Sequence, residues 1–249
     1  MKIIGVIPAR YGSTRLPGKS LIALCGKPLI LWVVERARQA RSLAELLVAT
    51  DDQRIADAVS AAGCPVAMTA AGHPSGTDRV AEAVRGRGAD IVINIQGDEP
   101  LIEPALIDRL GTELADEARW DMATAATKLT DPAELESRSV TKVVWAADGQ
   151  ALYFSRAPIP CLRDPRVRPA GLEWYRHIGI YAYRAAFLGR VVASPPCAME
   201  LAEGLEQLRA LHIGARIKVV TAPYTGLGVD VPGDIPRAEE ALRRAGLAR

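Results

Sequence analysis

Five charged residues stand out as a set that could grip a nucleoside triphosphate. Three are cations in one short segment, Pro8-Ala9-Arg10-Tyr11-Gly12-Ser13-Thr14-Arg15-Leu16-Pro17-Gly18-Lys19, where Arg10, Arg15 and Lys19 are interleaved with glycines. Glycine lets a ligand come close to the backbone, and three cations match the charge density of a triphosphate. Charge-assisted hydrogen bonds contribute roughly 1.5–3 kcal/mol each, so three would matter. Residues 1–34 also carry Lys2 and Lys27 but no acid; the first is Glu35. The other two members are the distant carboxylates Asp98 and Asp230. Read alone, Asp98 could equally be a turn former or helix cap, and Asp230 a capping acid. Magnesium, however, favours one or two carboxylates plus phosphate oxygens and water.

The elements that must position these residues follow from hydrophobic periodicity. Apolar runs predict strands over Ile3–Ile7, Leu46–Ala49, Val66–Met68 and Ile91–Ile95. Helical spacing predicts helices over Leu29–Ala40, Gln53–Ala62, Asp78–Arg85 and Pro104–Leu114. Asp51 or Asp52 can cap the second helix, Gly63 can end it, and Ser75 or Thr77 can cap the third. For the Asp51-Asp52 pair, capping outweighs metal binding. Alternation of nearly all-apolar strands with helices predicts a mostly parallel, doubly wound α/β sheet covered on both faces. Ligands in such sheets bind beyond the carboxyl ends of the strands, where the Pro8–Lys19 segment and Asp98 fall. The segment is not a Walker A loop: five residues separate Gly12 from Gly18 where that motif needs four.

Further along, the pattern changes. Strands are predicted over Met122–Lys128, Thr141–Trp145, Ala151–Phe154 and His177–Tyr183, with a tight turn at Asp148-Gly149. They predict a small antiparallel extension within residues 120–190 of a single 249-residue domain. A helix over Met199–His212, a strand over Ile217–Thr221 and a helix over Ile235–Arg244 complete the prediction. His177 and Tyr181, four apart on one strand, should share a face. His73 and His212 read as structural.

Composition narrows the class. About half of the chain is apolar, and its net charge of +2 points neither to nucleic acid nor to a membrane surface. No run reaches the ~20 apolar residues of a membrane span, and the first apolar run is cut short by Pro8. Cys25, Cys64, Cys161 and Cys197 are far apart, as expected of reduced thiols in a cytoplasmic protein.

Nine ordered blocks across nearly the whole chain resemble the 3-deoxy-manno-octulosonate cytidylyltransferase family. They are Pro8–Lys19, Gly26-Lys27-Pro28-Leu29-Ile30, Val48-Ala49-Thr50-Asp51, His73-Pro74-Ser75-Gly76-Thr77-Asp78-Arg79, Asn94-Ile95-Gln96-Gly97-Asp98-Glu99-Pro100, Tyr153-Phe154-Ser155-Arg156, His177-Ile178-Gly179-Ile180-Tyr181, Leu205-Glu206-Gln207-Leu208-Arg209, and Gly228-Val229-Asp230. The resemblance implies a nucleotide-diphospho-sugar-transferase-like fold that moves CMP from CTP to the anomeric hydroxyl of an acidic eight-carbon sugar for lipopolysaccharide synthesis. It implies that Asp98 and Asp230 hold Mg2+, and that Arg10, Arg15 and Lys19 hold the triphosphate and stabilise the leaving pyrophosphate. It places the nucleotide against Pro8, Ala9, Arg10, Ser75, Gly76, Thr77, Arg79 and Gln96. Around the sugar acid it places Gln96, Arg156, His177, Tyr181, Glu206 and Gln207, with Arg156 suited to the carboxylate. It also implies a homodimer built through the antiparallel extension. No residue is required as a protein general base.

Three rivals are weaker. A different acidic sugar, sialic acid or an amino-substituted octulosonate, would use the same residues. The chain departs from the usual family text at Glu136-Ser137-Arg138-Ser139 and Val231-Pro232-Gly233-Asp234. A non-catalytic sugar-nucleotide sensor would have lost a carboxylate or cation, and none is missing. A metal-dependent glycosyltransferase would show Asp-x-Asp where Gly97-Asp98-Glu99 stands.

Overall fold

The computed structural model describes residues 1–12, 16–164, 166–223 and 226–248. The chain divides into two compact units, Met1–Thr112 with Tyr224–Arg249, and Glu113–Pro223.

The first unit begins with β1 (Ile3–Ala9), a short β2–β3 hairpin (Ala23–Leu24, Lys27–Pro28) and α1 (Leu29–Ala37). Then follow β4 (Glu45–Thr50), α2 (Gln53–Ala61), β5 (Val66–Met68), α3 (Gly76–Ala83), β6 (Ile91–Asn94) and α4 (Pro104–Asp116), whose end enters the second unit. β1 is the central strand: it pairs in parallel with β4 on one side and β6 on the other, and β5 extends the sheet beyond β4. Helices cover both faces, as the apolar strand pattern requires. Ile3 of β1 meets α4 near Gly111, α1 also packs against β1, and Pro8 meets the start of α3 at Gly76. Asp52 caps α2 by accepting from the Arg54 amide, and Ser75 caps α3 by accepting from the Asp78 amide. Both caps follow from side-chain oxygens satisfying amides that the first helical turn leaves unpaired.

The second unit contains β7 (Met122–Lys128), α5 (Pro132–Glu136), β8 (Lys142–Trp145), β9 (Ala151–Ser155), β10 (Tyr175–Arg184), α6 (Ala185–Ala193), α7 (Ala198–Glu203), α8 (Gln207–His212) and β11 (Ile217–Thr221). β7 lies antiparallel to β10 and parallel to β11, and β8 pairs antiparallel with both β9 and β10. The helix expected over Met199–His212 is two helices. Gly204 adopts a left-handed conformation (φ 63°), ends α7 and turns the chain into α8. α5 and α6 were not anticipated, although Asp131 before Pro132 is a recognisable helix start. The last helix, α9 (Asp234–Arg244), belongs to the first unit. Among the described residues no helix is long and apolar enough to cross a membrane.

Candidate active site

In the first unit, β1 runs directly into the cation-bearing segment. The segment folds back on itself: the Gly18 amide donates to the Tyr11 carbonyl over 3.0 Å, with Gly18 at φ 69°. A Cβ at Gly18 would press on the Tyr11 ring at 3.1 Å, so glycine is needed for both its conformation and its size. A single 3-10 turn then starts at Lys19, whose amide donates to the Leu16 carbonyl.

Two backbone relationships bring the acids to this lysine. At the end of β6, Gly97 crosses so close to Pro8 that a Cβ would lie 2.8 Å from the Pro8 carbonyl oxygen. That crossing delivers Asp98 to the β1 edge. From the far end of the sequence, the Val229 amide donates to the Asp98 carbonyl over 3.0 Å. Val229 itself is fully buried with Leu16, Leu24, Leu29, Trp32, Ala238 and Leu242, so apolar packing fixes where Asp230 begins. Asp234 then accepts the amides of Asp230 and Val231 at 2.9 and 3.0 Å through one carboxylate oxygen.

The outcome is a bridged triad. Lys19 Nζ lies 2.6 Å from Asp98 Oδ2 and 3.1 Å from Asp230 Oδ1. Burial alone would lower the Lys19 pKa, but the two carboxylates outweigh it and hold it above its ordinary value. The Lys19 ammonium thus sits between two carboxylates 132 residues apart in sequence. Such a pair offers what a divalent cation with a phosphate ligand requires, namely two carboxylates with room for other oxygens. Among the described residues no cluster of three or more His, Cys, Asp or Glu side chains could hold a metal by itself.

The other nucleotide-side candidates fall into two groups. Arg10 follows β1 and is exposed, while Pro8 and Ala9 are its last residues, and Gln96 follows β6 half-buried. Gly76 packs against Pro8, and Ser75 and Thr77 flank it at the α3 start. Arg15 lies outside the described residues. Arg79 lies in the first turns of α3. It is 4% exposed, and its guanidinium donates to Thr69 Oγ1 over 2.6 Å and Asp51 Oδ2 over 3.0 Å. It ties α3 to the ends of β4 and β5 and is buried by doing so. Asp51 is engaged there rather than in capping.

In the second unit, His177 and Tyr181 lie on β10, Arg156 follows β9, and Glu206 and Gln207 stand at the start of α8. The rings of His177 and Tyr181 lie 5.4 Å apart, so they share a face as expected. The reason is more involved than simple alternation. Between Ile178 and Tyr181, β10 advances three residues while β7 advances one. Two residues are extra, and an even insertion preserves the facing. Thr124 fills the irregularity by donating its hydroxyl to the Ile180 carbonyl over 2.8 Å, which leaves its oxygen to accept from His177 Nε2, also at 2.8 Å. That assigns the Nε2–H tautomer and leaves Nδ1 as an acceptor. Burial pushes the His177 pKa down to about 3, so the ring is neutral. Burial, with the nearby Tyr183 and Glu206, raises the Tyr181 pKa well above its ordinary value and keeps its hydroxyl protonated. Gln207, the first residue of α8, is buried, and its Nε2 has no hydrogen-bond partner among the described residues.

Arg156 is anchored. It donates to the carbonyls of Glu203, Arg138 and Gly204 at 2.6, 2.9 and 3.3 Å. Beside it is a residue that the sequence reading missed. Lys142 is fully buried, and its ammonium donates to the carbonyls of Arg156, Val140 and Ser137 at 2.6, 2.8 and 2.9 Å. Burial lowers its pKa. Together the two cations pin residues 137–140 and the turn that launches Glu206 and Gln207. A lysine in an alternating strand gives no sequence signal for this.

Comparison with known proteins identifies the family. The Cytidylyltransferase family profile matches residues 4–217. The 3-deoxy-manno-octulosonate cytidylyltransferase of Bdellovibrio bacteriovorus is 46% identical over 248 residues, spanning 99% of this chain and 100% of that protein. That of Geobacter sulfurreducens is 46% identical over 250 residues, spanning 98% and 100%. A solved structure described as CMP:2-keto-3-deoxy-manno-octonic acid synthetase complexed with CTP superposes with a TM-score of 0.93 at 42% identity, covering 98% of this chain and all of that one. A cytidylyltransferase from Leptospira borgpetersenii, 16% identical with a TM-score of 0.63 over 99% and 95% of the chains, shares the fold. With a sheet-edge cation between two carboxylates and full-length relatives at this identity, the chain belongs to the cytidylyltransferase family, as one of its 3-deoxy-manno-octulosonate cytidylyltransferases.

Proposed function

We propose that the protein transfers CMP from CTP to the anomeric hydroxyl of 3-deoxy-D-manno-octulosonate (Kdo), releasing pyrophosphate and giving CMP-Kdo for lipopolysaccharide synthesis. The observation that carries this reading is the meeting of Lys19, Asp98 and Asp230 beyond the carboxyl ends of β1 and β6. The relatives' names and the CTP-complexed structure supply the nucleotide and the sugar.

Asp98 and Asp230 would hold Mg2+, which when bound neutralises triphosphate charge and polarises the reacting phosphate. Arg10, Arg15 and Lys19 would take the β- and γ-phosphates and stabilise the leaving pyrophosphate. The backbone of Pro8 and Ala9, the small residues Ser75, Gly76 and Thr77, and Gln96 would receive the cytidine. Gln96, Arg156, His177, Tyr181, Glu206 and Gln207 would bind the sugar acid. Within that set the neutral His177 accepts from a hydroxyl through Nδ1, the protonated Tyr181 donates, and Gln207 Nε2 gains a partner. Positioning and charge neutralisation then carry most of the rate for attack on the α-phosphorus. The resemblance further supports a homodimer joined through the antiparallel extension, while the small net charge and the scattered cysteines support a cytoplasmic protein with no nucleic-acid or membrane partner.

The test is pyrophosphate release with CTP and a panel of acidic sugars, with and without magnesium. Release with Kdo that stops when magnesium is omitted is the expected result. Equal turnover of sialic acid, or turnover without a divalent cation, would overturn the assignment.

A further inference from the structure

We propose that Lys19 is a placeholder for the metal. In the nucleotide-free protein its ammonium would hold the Asp98 and Asp230 carboxylates together and keep free divalent cations out. The cation site would open only when metal arrives with a triphosphate that takes the lysine in exchange. The proposal rests on the reading of Asp98 and Asp230 as metal ligands.

The argument starts from charge. Two carboxylates converging on one point repel each other unless a cation lies between them, and Lys19 supplies it at 2.6 and 3.1 Å. A magnesium ion would use the same two oxygens, so lysine and metal compete for one position. Side-chain exposures of 18%, 25% and 43% for Lys19, Asp98 and Asp230 leave the trio only partly solvated, which limits screening by salt. Lysine suits this role better than arginine. Its ammonium is a compact point charge on a flexible four-carbon stem, whereas guanidinium is a planar fork. The stem can move while its base stays put, because the Lys19 backbone is pinned to Leu16 and follows the left-handed Gly18. An incoming triphosphate offers the ammonium a new anionic partner while the metal replaces it between the carboxylates. Before the exchange the ammonium offsets one of the two carboxylate charges; after it the divalent cation offsets both, and the ammonium offsets part of the phosphate charge.

The experiment measures Mn2+ binding by the loss of the free-ion electron paramagnetic resonance signal, with and without a non-hydrolysable CTP analogue. The wild type, Asp98→Asn, Lys19→Met, Lys19→Gln and the double variant Lys19→Met/Asp98→Asn are compared, with folding checked by thermal melts. Without nucleotide, both single variants should bind Mn2+ at least about tenfold more tightly than the wild type, because a competing charge has been removed. The double variant should lose that gain. In the wild type alone, the CTP analogue should enhance Mn2+ binding strongly; in Lys19→Met and Lys19→Gln the enhancement should be smaller. If both folded variants bind Mn2+ no more tightly than the wild type, the placeholder role is wrong, while analogue-dependent binding in the wild type would leave the proposed function standing. If Asp98→Asn leaves analogue-dependent Mn2+ binding unchanged, the metal assignment itself fails, and the placeholder role fails with it.

Discussion

The Val229 amide donates to the Asp98 carbonyl over 3.0 Å, and this bond sets the two key carboxylates side by side. Asp234 completes the arrangement by accepting two amides from the Asp230 turn. Replacing Asp234 with Ala should therefore lower kcat/KM for CTP while leaving the fold in place. Partners that orient a metal ligand typically cost about 10–100-fold when removed. Steady-state kinetics with varied CTP, alongside circular dichroism, check this; unchanged kinetics would show that the turn holds without Asp234.

Gly97 is the tightest crossing in the site, with an added Cβ 2.8 Å from a backbone oxygen. Neither backbone can yield without moving Asp98 or Pro8. Gly97→Ala should cost about 1–3 kcal/mol of stability, as overpacking does, and raise the KM for CTP more than that for Kdo. Denaturant unfolding with separate substrate titrations checks both effects.

His177 makes a prediction with a definite sign. Its folded pKa of about 3 lies far below the unfolded value near 6.5, because burial disfavours the charged ring. The unfolded chain therefore binds a proton that the folded one refuses. Stability from the neutral ring is complete above about pH 6.5 and is lost as pH falls from there toward 3. The wild type should lose Tm over this window faster than His177→Asn, and a pH series of melts reads the difference directly. Identical slopes would mean that the ring is not buried and neutral.

Lys142 should behave as a scaffold residue. Lys142→Met strands three backbone carbonyls in a buried setting, at a cost of about 2–4 kcal/mol. That corresponds to a Tm fall of roughly 5–10 °C in a protein of this size. Kdo binding should weaken with it, because Lys142 holds the Arg156 carbonyl and Arg156 in turn holds the turn before Glu206 and Gln207, while CTP binding should change little. Calorimetry and two KM values test this split; equal loss for both substrates would contradict it.

These positions show what could be read in the sequence. β1, β4, β5 and β6 are legible because a strand buried on both faces must be apolar throughout, and Asp52 and Ser75 are legible because caps are local. Gly204 sits inside an otherwise helical pattern, where only the left-handed turn in the structure reveals that it ends α7. The irregularity in β10 is silent, since it depends on how β7 lies alongside. Arg10, Lys19, Asp98 and Asp230 stand out through charge and resemblance. Asp234, Lys142 and the buried setting of Arg79 arise from contacts between distant segments, and no spacing rule encodes them.

The most direct measurement is turnover by Asp98→Asn and Asp230→Asn at saturating CTP, Kdo and magnesium, with pyrophosphate and CMP-Kdo both quantified. Loss of a charge that stabilises the transition state by several kcal/mol should lower kcat at least about a hundredfold in each folded variant. Near-normal release of both products by either variant would contradict a metal held between these two carboxylates.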